Sequence, residues 1–247
     1  MSVLRIEHLQ KSFGNLIVTN DMSLTFERGE RHAIIGPNGA GKTSLLNQLG
    51  GQLAPDAGRI LFDQRDITRL TPDRRCRLGM ARTYQRNNLF LNLSVFENVR
   101  LAVHAHEVGW RDAIVPVTAL TAEGERTQAL IEQVRLACDP KMQVRHISYG
   151  EQRQVEIAVA LAATPKVLLL DEPTAGMSPA ETARMIDMIA RLSGDICVIL
   201  VEHDMNVVFS LAHRITVLHY GEVLATGTPA EISSNEKVRS IYLGMEI

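Results

Sequence analysis

The chain of 247 residues lacks any apolar run that could cross a bilayer. Its apolar runs, such as residues 167–170 and 196–201, have the length of a strand, whereas a membrane-spanning helix needs roughly 20 residues. The first ten residues, MSVLRIEHLQ, contain no apolar segment of the kind found in signal peptides. With 45% apolar and 22% charged residues, the composition is typical of a soluble globular protein with one sizeable core. We therefore expect a cytosolic protein.

An excess of charge of one sign is also absent, because 26 Lys and Arg stand against 28 Asp and Glu, for a formal net charge of −2. A general nucleic-acid binder usually carries a strong basic excess, so no nucleic-acid partner is expected. Cysteine is scarce, and Cys76, Cys138 and Cys197 are scattered without metal-ligand spacing. Cys197 lies in a strand-like run, where a small core residue is expected.

A glycine-rich stretch, GPNGAGKTS at residues 36–44, follows directly on the strand-like residues 32–35. Its spacing fits G-x-x-x-x-G-K-[ST], in which backbone N–H groups and a helix N-terminus surround a phosphate chain. In this pattern the lysine contacts the β- and γ-phosphates and the next hydroxyl binds Mg²⁺, which assigns these roles to Lys42 and Thr43. The alternative is an ordinary glycine-rich turn before a helix, but the strand before it and the apolar spacing over residues 43–49 favour the phosphate loop. We expect a nucleoside triphosphate to bind Asn38, Gly39, Ala40, Gly41, Lys42, Thr43 and Ser44.

Two carboxylates end another apolar run, in the stretch VLLLDEP at residues 167–173. Ligands of a parallel sheet bind at the carboxyl ends of its strands, so we expect Asp171 and Glu172 beside the phosphate loop. Asp171 suits Mg²⁺ coordination, directly or through water, and Glu172 suits orienting and deprotonating the water that attacks the γ-phosphate. The alternative is that Asp-Glu-Pro only starts a turn. The phosphate loop elsewhere in the chain favours the catalytic interpretation.

A histidine follows the next apolar run, in VEHD at residues 201–204. We expect His203 to lie on the same edge of the sheet, where it would contact the γ-phosphate and help hold Glu172 and the attacking water. Most single histidines are structural. His203 is assigned a role because of the place where its strand ends.

The pattern of apolar runs predicts an α/β fold. Residues 167–170, 196–201 and 215–218 are continuous apolar runs, typical of parallel strands that are covered on both faces. A helical pattern over residues 182–192 separates two of them, and strand–helix–strand order predicts a parallel sheet. Further short strands are expected at residues 3–6, 22–26 and 59–62. Helical character dominates from about residue 85 to 165, apart from a loop near residues 115–124, and predicts a helical insertion into the sheet domain.

The stretch HISYGEQRQVEIAVALA, residues 146–162, supports two interpretations. Ser148 followed by Glu151 is a capping box at the start of a helix. A helix start that carries serine and glycine also binds phosphate. Its position about twenty residues before the acidic strand resembles the LSGGQ signature of ATP-binding cassette (ABC) ATPases, written here as ISYGE at residues 147–151.

The whole chain, from about residue 3 onward, resembles an ABC transporter ATPase subunit. The resemblance makes residues 36–44 the Walker A loop, Asp171 the Walker B aspartate, Glu172 the catalytic glutamate and His203 the switch histidine. It places Phe13, with Val18 beside it, against adenine, and Gln85 at the Q-loop position that touches Mg²⁺ and reports the nucleotide state to the membrane subunits. The catalytic residues it implies are Glu172, His203 and Gln85, and the Mg²⁺ ligands are Thr43, Gln85 and Asp171. The D-loop falls at residues 175–178.

The resemblance implies a P-loop NTPase (RecA-like) core with a mainly parallel sheet, an antiparallel β subdomain and an inserted α-helical subdomain. The expected division of this single domain is a nucleotide-binding core over about residues 1–85 and 165–230, a helical subdomain over 86–164 and a short tail over 231–247. In the family, the signature of one subunit closes on ATP held by another. Ser148 and Gly150 are therefore expected to contact the ATP of a partner subunit, identical or homologous.

Several stretches resemble the ATPase subunits of branched-chain amino-acid importers, with urea importers close to them: RTYQRNNLF, LSVFENVRLA, SYGEQ, DEPTAGMSP and VEHDMNVV. This implies two transmembrane permease subunits, an indirect solute-binding partner and a place on the cytoplasmic face of the inner or plasma membrane. The alternatives are a lipopolysaccharide-export ATPase and, in another class, an ABC ATPase acting on ribosomes or DNA. The single short cassette argues against the latter.

Four positions need comment within this resemblance. Tyr149 and Glu151 depart from LSGGQ in ways that occur in the subgroup. Ser178 replaces the usual D-loop aspartate, so no role is carried over for that side chain, and the Val159 replacement of a frequent arginine has no functional account.

Apolar residues after the Q-loop are expected either to form a groove for a helix of the membrane subunit or to be plain core: Leu89, Phe90, Leu93 and Phe96.

Overall fold

A computed structural model describes residues 2–83, 88–107, 117–192 and 194–242. Within these ranges the strands are β1 (Ser2–Phe13), β2 (Leu16–Glu27), β3 (Arg31–Ile35), β4 (Ala57–Phe62), β5 (Arg65–Asp66), β6 (Met80–Arg82), β7 (Val167–Asp171), β8 (Cys197–Val201), β9 (Arg214–His219) and β10 (Glu222–Gly227). The helices are α1 (Lys42–Gly50), α2 (Pro72–Leu78), α3 (Val95–Glu107), α4 (Val117–Gln133), α5 (Tyr149–Leu161), α6 (Pro179–Ala190), α7 (Met205–Leu211), α8 (Pro229–Ser234) and α9 (Glu236–Tyr242). None of the helices in these ranges is both long and apolar enough to span a membrane.

The larger sheet has the strand order β10-β9-β3-β8-β7-β6, and its pairs are parallel except for the antiparallel edge strand β10. Successive residues of its central strands face two different cores. Leu168 and Leu170 pack with the helices on one face, whereas Val167 and Leu169 pack with α1 and the second sheet on the other. Burial on both faces explains the continuous apolar runs and confirms the predicted, mainly parallel sheet.

The smaller sheet is antiparallel, with the order β2-β1-β4-β5. Its strands β1 and β2 are each 12 residues long, so the strands predicted at residues 3–6 and 22–26 were too short. The extra length is a polar, irregular hairpin that turns at Gly14 (φ +57°) and contains register shifts. His8 and Asp21 both have positive φ there, and the His8 imidazole bonds Asp21 Oδ1 at 2.8 Å. Such bulges interrupt the alternation from which a strand is predicted.

Three helices, α3, α4 and α5, lie between β6 and β7 in the sequence and pack on the larger sheet. The loop predicted near residues 115–124 is wrong for residues 117–124, because α4 begins at Val117. Tertiary contacts hold this helix: the buried Glu123 carboxylate bonds Arg100 Nε at 2.6 Å and His104 Nδ1 at 3.0 Å. These partners on α3 offset the weak helix propensity of the threonines and glycine in α4.

Candidate nucleotide site

The phosphate loop connects the central strand β3 to α1. Gly41 caps α1 with φ +99°, and a Cβ at this position would lie 2.2 Å from the Val18 carbonyl oxygen, so only glycine fits. Gly39 has φ +80°, and nothing lies within 4 Å of the place where its Cβ would be. The first turn of α1 contains no acidic residue. Its N–H groups and helix dipole therefore favour an anion from outside the helix.

Lys42 is the cation of this loop, and it is 5% exposed. Its ammonium donates to the Gly36 carbonyl oxygen at 2.7 Å and to the Pro37 carbonyl oxygen at 3.0 Å. Burial lowers the pKa of Lys42, while the nearby Glu172 and Asp171 carboxylates oppose that shift. The cation is thus held over the loop by two backbone carbonyls.

A cleft of about 310 Å³ joins the loop to the ends of β7 and β8. Its lining consists of Leu16, Val18, Asn38, Gly39, Ala40, Gly41, Lys42, Thr43, Ser44, Glu172 and His203. Leu16 was not predicted, and the signal for it was its apolar character two residues before Val18. Phe13 does not line the cleft; it lies at the nearby end of β1, 53% exposed, with Lys11 Nζ 5.5 Å from its ring centroid.

Asp171 ends β7 and is buried. Its Oδ2 accepts a hydrogen bond from Arg82 at 3.2 Å, while no donor among the described residues reaches Oδ1. Burial raises the pKa of Asp171, and Arg82 opposes the shift. A buried carboxylate oxygen without a protein donor fits a hard cation such as Mg²⁺. Thr43, which sequence analysis paired with Asp171 for this ion, is exposed in the cleft.

The next residue, Glu172, forms a pair with His203. The Glu172 Oε1 and His203 Nε2 atoms are 2.8 Å apart, as expected from the ends of the adjacent parallel strands β7 and β8. The Glu172 backbone has φ +49°, and its N–H donates to the Val201 carbonyl at 2.9 Å. Left-handed backbone in a non-glycine residue stores strain and is found disproportionately at functional sites.

Glu202, which the sequence motifs did not predict, lies between the two loops that carry these groups. It is buried, and its Oε1 accepts from the Thr174 N–H at 3.0 Å and from the Thr174 hydroxyl at 2.6 Å. Its Oε2 accepts from the His203 N–H at 3.2 Å. The available signal was a carboxylate placed directly after the five apolar residues of β8. One side chain therefore fixes the loop after β7 to the loop after β8.

The signature segment starts α5. The predicted capping box is confirmed: Ser148 Oγ accepts from the Glu151 N–H at 3.2 Å, and Glu151 Oε2 accepts from the Ser148 N–H at 2.9 Å. Neither Ser148 nor Gly150 lines the cleft that contains the phosphate loop. Gln85, predicted at the Q-loop, falls outside the described residues.

Some apolar residues after the Q-loop position belong to the core, as one alternative predicted, and another is exposed, as a docking groove would require. Leu89 and Phe96 pack against the core, whereas Phe90 is 62% exposed. The buried Asn98 fixes the backbone of Phe90 from both sides, since its Oδ1 accepts from the Phe90 N–H at 2.8 Å and its Nδ2 donates to the Phe90 carbonyl at 3.1 Å. Phe90 is therefore presented to solvent on a fixed loop.

A phosphate loop after the central strand of a parallel sheet, with carboxylates at the neighbouring strand end, defines a P-loop nucleotide-binding protein. The ABC transporter family model matches residues 19–175, which is more than half of the chain, and the model for the branched-chain amino acid ATP-binding cassette transporter matches residues 222–244. The chain belongs to the ABC transporter family of ATP-binding proteins.

Relatives match over almost the full length. The high-affinity branched-chain amino acid transport ATP-binding protein LivG of Salmonella typhimurium is 36% identical, with 98% of each chain covered. BraF of Pseudomonas aeruginosa, which has the same description, is 35% identical, with 98% of each chain covered. The lipopolysaccharide export system ATP-binding protein LptB of Acidithiobacillus ferridurans is 35% identical, with 98% of this chain and 97% of LptB covered.

Solved structures of ATP-binding cassettes share the fold. The ADP conformation of MJ1267, a cassette of an ABC transporter, superposes with a TM-score of 0.84 at 28% identity, with 99% of each chain covered. A dimeric, post-hydrolysis structure of the cassette MJ0796 bound to ADP and Pi gives a TM-score of 0.76 at 25% identity, with 92% of this chain and 98% of MJ0796 covered. The predicted ABC ATPase fold is confirmed.

Proposed function

We propose that this chain is the ATP-hydrolysing subunit of an ABC importer for branched-chain or related amino acids. The observation that carries the proposal is the single cleft that joins the phosphate loop to the hydrogen-bonded pair of Glu172 and His203. A protein that only binds a nucleotide would need the phosphate loop and no more. A carboxylate paired with an imidazole at its edge supplies, in addition, a base for water.

The chemistry follows from the positions of these groups. Lys42 would exchange the Gly36 and Pro37 carbonyls for the β- and γ-phosphate oxygens, while Phe13 and Val18 hold the adenine. Glu172 would accept a proton from water as the water oxygen bonds to the γ-phosphorus and the bond to the leaving ADP oxygen breaks. His203 would hold Glu172 in place and contact the γ-phosphate. Thr43, Asp171 and Gln85 would hold Mg²⁺, which supplies positive charge against the phosphate oxygens.

A complete site requires a second ATPase subunit, identical or homologous. Ser148 and Gly150 lie away from the cleft of their own chain, yet helix starts of this kind suit a γ-phosphate. We assign them to the ATP of the partner in a head-to-tail dimer. The dimeric form of the related cassette MJ0796 supports this assembly.

For the membrane side, we propose that the helical subdomain, about residues 86–164, meets two permease subunits, while residues 1–85 and 165–230 bind nucleotide and 231–247 form the tail. The exposed Phe90 on its fixed loop supports this contact surface. The subunit would lie at the cytoplasmic face of the inner or plasma membrane and meet a solute-binding protein only indirectly. The family match at residues 222–244 favours amino-acid import over lipopolysaccharide export.

The test of the enzymatic proposal is Glu172→Gln, compared with Glu132→Gln on the exposed face of α4 as a matched control. An amide keeps the shape but does not accept the proton, so we expect turnover to fall at least roughly 100-fold. Binding of a fluorescent ATP analogue should be retained, and light scattering should detect a dimer at saturating ATP. Hydrolysis by Glu172→Gln at a rate near that of the unmodified chain would show that Glu172 is not the base.

The solute is tested in cells from which this subunit has been deleted. We expect loss of radiolabelled leucine uptake, with restoration by the intact chain and none by Glu172→Gln. If leucine uptake is unchanged and lipopolysaccharide no longer reaches the cell surface, the subunit belongs to a lipopolysaccharide exporter and not to an amino-acid importer.

A further inference from the structure

Glu181 connects the starts of two helices. It belongs to the capping box of α6, where its Oε2 accepts from the Ser178 N–H at 3.0 Å and from the Ser178 hydroxyl at 2.7 Å. Its Oε1 accepts from the Gly150 N–H at 3.3 Å, and the Ser148 hydroxyl is among the groups that lower the pKa of this carboxylate. One carboxylate thus caps its own helix and binds the signature segment at the start of α5.

The side chain of Glu181 also covers Gly150. A Cβ placed on Gly150 would meet Glu181 Oε1 at 2.7 Å, Cδ at 3.0 Å and Cγ at 3.0 Å, and these are its three nearest heavy atoms. The same construction at Gly39 in the phosphate loop meets nothing within 4 Å. The surface of the signature segment around Gly150 is therefore taken by a carboxylate of the same chain.

This carboxylate is ionised at neutral pH. Hydrogen bonds, first from Ser178 and then from Ser148 and Gly150, lower the pKa of Glu181 to about 2. The signature segment thus already binds an anion through the Gly150 N–H, which a γ-phosphate of a partner's ATP would use.

We propose that Glu181 is a positioning residue of the ATP site between subunits: its carboxylate occupies the place on Ser148 and Gly150 that the γ-phosphate of the partner's ATP takes on dimerisation. The inference rests on the proposed function. A donor hydrogen is shared poorly between two anions, and two anions at hydrogen-bonding distance repel each other. Closing the dimer therefore requires Glu181 to release the Gly150 N–H and to move away from Ser148, and this exchange raises the ATP concentration that dimerisation needs.

The exchange is local. Glu181 keeps its contacts to Ser178 through Oε2 when Oε1 leaves. The start of α5 keeps its own cap, because Glu151 still bonds the Ser148 N–H. Neither helix loses its cap. Glu181 can therefore hold the signature segment in the conformation that binds phosphate and then release it with little loss of stability.

The experiment measures dimerisation by light scattering against ATP concentration in Glu172→Gln, with and without Glu181→Gln. The amide removes the charge, so we expect the ATP concentration for half-maximal dimer to fall on the order of fivefold. Binding of a fluorescent ATP analogue to the monomer should be unchanged. The matched control is Glu231→Gln, which alters the equivalent capping box of α8, where Glu231 Oε2 accepts from the Thr228 N–H at 2.7 Å.

A purely structural role predicts the opposite direction: Glu181→Gln would lower Tm and weaken dimerisation or leave it unchanged. Either result, with Glu231→Gln unaffected, would overturn the inference. Glu181→Ala is the second variant, and it should also lower the ATP requirement although it loses the cap. In the chain with Glu172 intact, Glu181→Gln should reach half-maximal specific ATPase activity at lower protein concentration. Failure of Glu172→Gln itself to dimerise with ATP would instead contradict the proposed dimer.

Discussion

The two helix starts of the candidate ATP site, at α1 and at α5, look alike in sequence and differ in structure. Both carry glycine and a hydroxyl. The first turn of α1 has no acidic residue, and Gly39 faces open space. The start of α5 is capped by Ser148 and Glu151, and Glu181 lies over Gly150.

The difference also concerns positive charge. Lys42 lies in the phosphate loop itself, so α1 combines a helix start with a cation. On α5, the guanidinium of Arg153 bonds Glu156 at 2.7 Å and the Tyr149 hydroxyl at 3.1 Å. The first helix start can hold a polyphosphate alone, whereas the second suits only a phosphate that already carries its own counter-charges. This asymmetry supports the proposal that one segment binds phosphate within the chain and the other between chains.

The largest effect is expected from removing the cation on the α1 side. Lys42→Ala should weaken ATP binding and lower turnover roughly 100-fold or more, because the charge proposed to face the β- and γ-phosphates is lost. Titration with a fluorescent ATP analogue and a phosphate-release assay measure both quantities. Lys141→Ala, an exposed lysine beyond α4, is the control. Unchanged affinity and turnover in Lys42→Ala would remove the distinction between the two helix starts.

An intermediate effect is expected on the α5 side. As a change of helix cap alone, Ser148→Asp would be mild, because aspartate caps a helix about as well as serine; the neighbouring Glu151 and Glu181 carboxylates add a repulsive cost to the free energy of unfolding. The added carboxylate should nevertheless prevent the ATP-dependent dimer of Glu172→Gln while monomers still bind ATP. Light scattering at saturating ATP measures this, with Thr228→Asp at the cap of α8 as the control. Equal dimerisation of the single and double variants would reduce Ser148 to a helix cap.

The smallest effect concerns the base of the nucleotide. Phe13→Ala should raise the KM for ATP about fivefold with little change in kcat, since stacking contributes about 1 kcal/mol. Ile17→Ala is a matched control because Ile17 is similarly exposed, at 52%, on the same hairpin and outside the cleft lining. Equal KM values for the two variants would place the adenine elsewhere.

Local spacing was enough to predict the α1 half of this comparison. The strand, the glycines and Lys42 are contiguous, and the ends of β7 and β8 meet because parallel neighbours end at one edge. Glu181 could not be found this way. The pattern Ser-Pro-Ala-Glu predicts its cap on Ser178, but its bond to Gly150 joins residues that are 31 positions apart in the sequence, on two different helices. Only the packing of α5 against α6 brings them together.

Other features that the sequence did not predict also depend on contacts between residues that are far apart in the sequence. Glu202 bonds Thr174, 28 residues away, through the pairing of neighbouring loops. Helix α4 depends on a buried Glu123 whose partners lie on α3. The long hairpin of β1 and β2 contains bulges that disguise its alternation. In each case the decisive contact is tertiary, whereas sequence patterns report local preference.

The left-handed backbone of Glu172, at φ +49°, has a consequence for directed evolution. A residue other than glycine or asparagine loses about 1 kcal/mol of stability when its backbone adopts this left-handed conformation. Substitutions that relieve this cost would raise thermal stability and remove the proposed base in the same step. A library selected for thermostability alone would therefore accumulate inactive variants at position 172, and a selection that retains turnover must be imposed alongside it.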